Sequence, residues 1–285
     1  MQPKQYVMTH PRDAAVPVAP LLGLQGGRLR ALARVAHARV DLTFAFVRRE
    51  LGIRYKEAYV GVGWALLQPL AYMGIFTVLF SRMAHVQGSG ALSSYVALVP
   101  WSFAATAILQ GGQSVFNQLG VVSKIYFPRS VLPLAAVIAA AVDGVIAFGL
   151  QLGLMAATGA RFGATLLLWP VLMLLTGLVS LGIALVLAPA VVRFRDLRYV
   201  IPVGVQLLLL ATPVGYPLSA LPATYRRLAA LNPYAGLMDA FRAIAIRGET
   251  PPLQDVWPAV VWAVVLLVLG GVYFRREEAT VADYV

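Results

Sequence analysis

Apolar residues in this chain fall in long, almost unbroken blocks, with no two-residue alternation and no narrow stripe beside a polar face. A membrane-spanning helix needs about 20 mostly apolar residues. Six stretches come near that length: Val62–Phe80, Ser94–Gln110, Val131–Ala157, Ala164–Val192, Tyr199–Leu218 and Val256–Phe274. The third and fourth are longer than the hydrocarbon requires, which predicts tilt or extension past it. The fifth contains Pro213 and Pro217 and is expected to break before its end. The pattern predicts an all-α polytopic membrane protein with six transmembrane helices. An N-terminal amphipathic interface helix precedes them, and a re-entrant pair of short helices lies before the last span.

Composition strengthens this reading. Of 285 residues, 60% are hydrophobic and 12% charged. Soluble domains run at about 45–50% apolar and about 25% charged. The surplus apolar surface must meet lipid. Cysteine is absent, which excludes disulfides and thiolate chemistry. Met1–Arg30 lacks the apolar core of a secretory signal, so insertion is expected to begin at the first true span. Residues 1–40 read as an N-terminal cytoplasmic tail, disordered in its Pro- and Gly-rich part.

The net charge of +11 is placed asymmetrically. If both termini are cytoplasmic, only Arg82, Arg161, Arg226, Arg227, Arg242 and Arg247 of the 23 Lys and Arg lie outside. That bias, with an even span count, predicts both ends inside a bacterial inner membrane. A collar of Arg beside anionic headgroups explains the basic character. Nucleic-acid binding is not expected, because no basic, aromatic-interleaved soluble module is present.

Three segments stand outside the spans. Residues 41–60 contain Leu42, Phe46, Leu51 and Tyr55 at helical spacing, flanked by Arg48, Arg49, Arg54 and Lys56. This suits a helix in the membrane interface with snorkelling Arg stems, or one packed on the protein's own soluble face. Residues 117–129 carry Val121, Val122, Ile125, Tyr126 and Phe127 on a cytoplasmic loop. Such hydrophobes either mark a protein contact or tuck against the helix ends. Residues 219–255 read as two short helices, Pro222–Leu231 and Pro233–Ile246. Asn232 caps the second, and Leu237, Phe241 and Ile244 form its apolar stripe.

Catalytic chemistry finds little support. No phosphate-binding GxxxxGK[ST] loop occurs, and His10, His37 and His85 show no metal-ligand spacing. No catalytic or metal-binding residue is assigned, and the chain is read as a non-enzyme with no cofactor of its own. Asp143 is the one carboxylate inside a span, open to a functional role or to pairing with an Arg or with backbone. Trp64, Gln68, Tyr72, Trp101, Gln110, Tyr126, Tyr199, Gln206 and Tyr216 recur near span ends, and Trp64, Gln68, Tyr72, Tyr199, Gln206 and Tyr216 are the channel candidates among them. They form an interfacial belt or line a path for sugars, with Gln68 and Gln206 deeper than a belt would place them.

Four ordered blocks, RYKEAYVGVGWALLQPLAYMGIFTVLF (Arg54–Phe80), SKIYFPRSVLPLA (Ser123–Ala135), RFRDLRYVIPVGVQ (Arg193–Gln206) and LNPYAGLMDAFR (Leu231–Arg242), resemble the permease subunits of type 2 ABC exporters. The likeness is to those that export cell-surface polysaccharide such as O antigen, capsule or teichoic acid. It implies a homodimer forming a trans-bilayer channel for lipid-linked polysaccharide. Two copies of an ATP-binding subunit would hold ATP and Mg on the cytoplasmic face, and periplasmic envelope proteins would extend the route. The loop with Val121, Val122, Lys124, Ile125, Tyr126, Phe127 and Arg129 becomes the coupling helix seated on the ATPase. Arg54 and Lys56 become receivers of a lipid-linked phosphate. Permeases for small lipids or drugs, and membrane enzymes acting on lipid-linked sugars, are the competing classes. Residues 61–275 would form the membrane domain, and 276–285 a cytoplasmic tail.

Overall fold

A computed structural model describes residues 25–56, 63–122, 127–160, 162–229 and 231–283. The chain divides after Val40 into a small N-terminal unit and a large unit from Asp41 onward. Every described element is helical: α1 Gln25–Lys56, α2 Gly63–Phe76, α3 Ala91–Asn117, α4 Leu119–Val122, α5 Val131–Ala157, α6 Trp169–Arg193, α7 Leu197–Ala211, α8 Ala223–Ala229, α9 Pro233–Arg242 and α10 Leu253–Asp283. Wider π-helical turns continue α2 through Thr77–Met83 and α9 through Ala243–Arg247.

Five of these segments are long and apolar enough to cross a membrane. The sixth, α7, has only 15 residues and ends at Ala211 instead of reaching Leu218. Pro213 has no amide hydrogen to continue the ladder. The second span gains Gly111–Asn117 over its expected end. Those glycines are packing devices, since a Cβ on Gly111 would lie 2.7 Å from the Ala184 methyl. The last helix runs on to Asp283, so residues 276–283 continue it past the expected end of the span. The helix expected over 41–60 begins at Gln25 and is described as far as Lys56.

In the large unit, α3 is the central element and packs along α5, α6 and α9. The α6–α10 crossing depends on missing side chains. A Cβ on Gly182 would stand 2.8 Å from the Leu266 carbonyl carbon, and one on Gly270 would stand 2.7 Å from the Gly182 oxygen. Small residues at such crossings let backbones approach where lipid offers no hydrophobic drive.

One end of the bundle gathers Phe46 of α1, Val115 of α3, Val131 of α5, Val192 of α6 and Phe274 of α10 into one apolar cluster. The opposite end is closed by α9. Asn232 caps that helix, accepting from the Tyr234 amide at 3.0 Å, with Pro233 in its first turn. Leu237, Phe241 and Ile244 are buried as the stripe predicted, but so are Tyr234, Met238, Asp239 and Arg242. The helix is therefore enclosed by α3, α6 and α10 and presents no amphipathic surface. Protein covers its backbone, as irregular structure at membrane depth requires. Exposed α8 carries Tyr225 and Leu228 on the surface.

Candidate functional site

Three features of the large unit bear on function: a polar cavity, an aromatic ladder, and two uncovered helix faces. The cavity, about 280 Å³, lies where the end of α1 meets α2, α3 and α5. Helix α1 reaches this place because one side of it packs inward, through Thr43, Phe46 and Val47. Phe46 stacks on Phe127 at 5.5 Å, and Arg49 bonds to Gln118, which in turn donates to Glu50 at 3.1 Å. Of the two readings left open for this helix, packing on the protein's own surface holds for Leu42–Tyr55. Phe44 and Ile53 remain exposed on the other side.

At the end of α1, Arg54 and Tyr55 both bond to the Asp143 carboxylate. The lone intramembrane carboxylate thus has an Arg partner, one of the two pairings the sequence left open. Burial first, then Asp143, raises the Tyr55 phenol above its ordinary pKa, so it remains a neutral donor. Gln68 of α2 and Ser102, Thr106 and Gln110 of α3 complete the polar wall. The three α3 residues are four apart, so they share one helix face.

The ladder starts at Tyr72. Its ring lies 6.1 Å from Phe76, Phe76 lies 5.7 Å from Phe80, and Phe80 lies 5.1 Å from Tyr216. Phe80 also fills the space beside Gly215, where a Cβ would come within 2.5 Å of the ring. The ladder therefore fastens α2 and its π-helical extension to the segment following α7.

The uncovered faces belong to α2 and α7. Ile75 and Val78 of the first span, and Val203, Leu207 and Leu210 of α7, are exposed. Unlike the apolar exposed face of α10 around Val264 and Val268, these faces also present Gln68, Gln206 and Tyr199. Tyr199 accepts a bond from Arg198, whose guanidinium lies 4.6 Å from its ring.

The six expected channel residues thus separate. Gln68 lines the cavity, Tyr72 and Tyr216 join the ladder, Tyr199 and Gln206 face outward on α7, and the Trp64 side chain lies outside the described residues. Lys124, Ile125 and Tyr126 of the coupling loop, and the Lys56 side chain, also lie outside them. Val122 and Phe127 are buried in the chain's own core, taking the tucked alternative, and Val121 is half-buried. Arg129 is half-buried and ties this loop to α10: its amide donates to the Glu278 carboxylate at 2.9 Å, and its guanidinium to the Glu278 carbonyl at 2.6 Å.

The family described as ABC-2 type transporter matches residues 41–246. The chain belongs to that family. Curated relatives of this ABC-2 chain include an O-antigen export system permease protein RfbA of Myxococcus xanthus. It is 30% identical over 256 residues, covering 87% of this chain and 97% of the relative. Two proteins of the same name from Klebsiella pneumoniae are 25% and 23% identical. They cover 73% and 85% of this chain and 81% and 94% of their own lengths.

Sequence reasoning missed the part of this ABC-2 fold that Arg242 plays. Read as one of six outer charges, it is 2% exposed and donates to the carbonyls of Ser93 (3.3 Å), Pro213 (2.9 Å) and Val214. Asp239 stands 3.8 Å away and accepts from the Leu218 amide at 3.3 Å. The signal was available: two prolines free carbonyls after α7, and buried carbonyls need donors.

Proposed function

We propose that this chain is the membrane subunit of an ATP-driven exporter that moves lipid-linked polysaccharide, O antigen in the first instance, across the bacterial inner membrane. The observation that carries this reading is the mixed character of the α2 and α7 faces. Gln68, Gln206 and Tyr199 are exposed on apolar helices. An exposed amide at membrane depth needs a partner that hydrocarbon cannot supply. A second copy of the chain, enclosing a hydrated passage between the two, supplies it. The permease names of the relatives support the same passenger.

Two copies of the chain pair with two copies of an ATP-binding subunit, which holds ATP and Mg on the cytoplasmic face. Lys124, Ile125 and Tyr126 present the docking surface, while Val122 and Phe127 anchor the loop from within. Both termini are cytoplasmic, a placement favoured by the basic collar and by Phe46 and Phe274 sharing one end of the bundle. Passage then follows from the partner biasing a two-state membrane element.

Complementation tests the assignment. Expressed with its ATPase subunit in a strain deleted for its O-antigen permease, the chain restores surface polymer, and the polymer trapped in the mutant identifies the passenger. Export of an unrelated small lipid alone, with glycan still retained inside, would falsify the reading.

A further inference from the structure

Ser102, Thr106 and Gln110 of α3, together with Gln68 of α2, line the cavity, and among the described residues none makes a side-chain hydrogen bond. Asp143, on the facing wall, lies near the middle of the 27-residue α5, about 18 Å from its Val131 end at 1.5 Å per residue. Polar groups at such depth are costly unless something satisfies them. The guest therefore carries hydrogen-bonding groups of both kinds.

Charge narrows its class. Among the described residues Arg54 is the one cation in the wall, and it is paired with Asp143. The described wall therefore carries no net positive charge to hold a diphosphate, whose anionic oxygens the Asp143 carboxylate repels while Arg54 attracts them. A hydroxylated ring meets no such penalty. Amides and hydroxyls donate to and accept from its hydroxyls, Asp143 accepts, and the Phe103 ring and Pro69 supply apolar surface for its C–H face. A volume of about 280 Å³ is enough for one sugar residue.

We infer that this cavity between α2, α3 and α5 is a neutral subsite for a single sugar residue, within each copy of the chain, and is not a phosphate site. The inference rests on the exporter reading above and refines it. It also reassigns Arg54 from phosphate receiver to holder of Asp143.

The absence of cysteine makes the test direct. Thr106→Cys, and separately Ser102→Cys, place a unique thiol in the wall of the full chain, expressed with its ATPase subunit. Alkylation by N-ethylmaleimide is timed in membranes without ATP, so that any passenger stays in place. Membranes from glycan-making cells should react at least ten-fold more slowly than membranes from glycan-free cells. Inorganic diphosphate added to the glycan-free membranes should leave the rate unchanged, and Gln87→Cys, on an exposed turn, should react alike in all three.

Slowing by diphosphate alone would make this a phosphate site and overturn the inference. Equal rates at both positions, in cells whose glycan reaches the surface once ATP is restored, would remove the sugar subsite and leave the exporter standing. Failure of the wild-type chain to export any glycan would overturn both.

Discussion

The Arg242 guanidinium, on α9, donates to the carbonyl of Pro213 at 2.9 Å, joining two segments 29 residues apart. The same group serves Ser93 and Val214, so one side chain ties the start of α3 and the turn after α7 to the inserted helix. Arg242→Met removes donors from three carbonyls at once and leaves Asp239 without this partner. Breaking a buried pair of this kind costs about 3–5 kcal/mol. A thermal-shift measurement on the purified protein should show a marked fall. Arg242→Lys should recover less than half, because an ammonium lacks the planar fork.

Gly182 and Gly153 are both helical glycines with opposite surroundings. Gly182→Ala forces its new methyl to 2.8 Å from the Leu266 carbonyl carbon of α10, whereas nothing lies within 4 Å at Gly153. The first change should destabilise by about 1–3 kcal/mol. The second should be neutral or stabilise by about 0.5–1 kcal/mol through helix propensity. Equal melting temperatures for the pair would contradict the α6–α10 crossing.

Phe127 and Tyr126 adjoin in sequence, and the packing of Phe127 can be tested apart from the docking proposed for Tyr126. Phe127 is buried against Phe46, so Phe127→Ala should cost about 3 kcal/mol or more of stability. If Tyr126 docks on the ATPase, Tyr126→Ala should reduce export at least ten-fold by weakening that coupling. Parallel melting and surface-polymer assays separate the two effects. Normal export by Tyr126→Ala would remove that residue from the docking surface.

On α7, Gln206→Leu exchanges an exposed amide for an aliphatic chain of similar size. If that face lines a hydrated passage, folding is preserved and polymer export falls about ten-fold. Val264→Leu, on the apolar face of α10, serves as the matched control and should export normally. Unchanged export by both variants would assign the α7 face to lipid.

Elements fixed by local chemistry were readable from the amino-acid order. The apolar blocks located the spanning helices, and Asn232-Pro233 marked the start of α9 because a capping amide followed by proline has little other use. Pro213 foretold the end of α7. What escaped was set by distant partners. Gly111 and Gly112 look like a stop signal, yet both stay helical because Ala184 and Leu187 fill the space beside them. The Arg54–Asp143 pair spans 89 residues, and no periodicity announces it. Ser102 and Thr106 lay unremarked inside an apolar span, since four-residue spacing acquires meaning only when another helix leaves room opposite.

The shortness of α7 has a mechanical result. Its 15 residues make a rod of about 22 Å, against a hydrocarbon layer of about 30 Å. The chain beyond α7 is bent backbone held by Arg242 of α9, so the apolar helix along this seam is shorter than a full span. Under the exporter reading, a hydrophilic passenger travelling there would pass less apolar helix than beside the five longer spans.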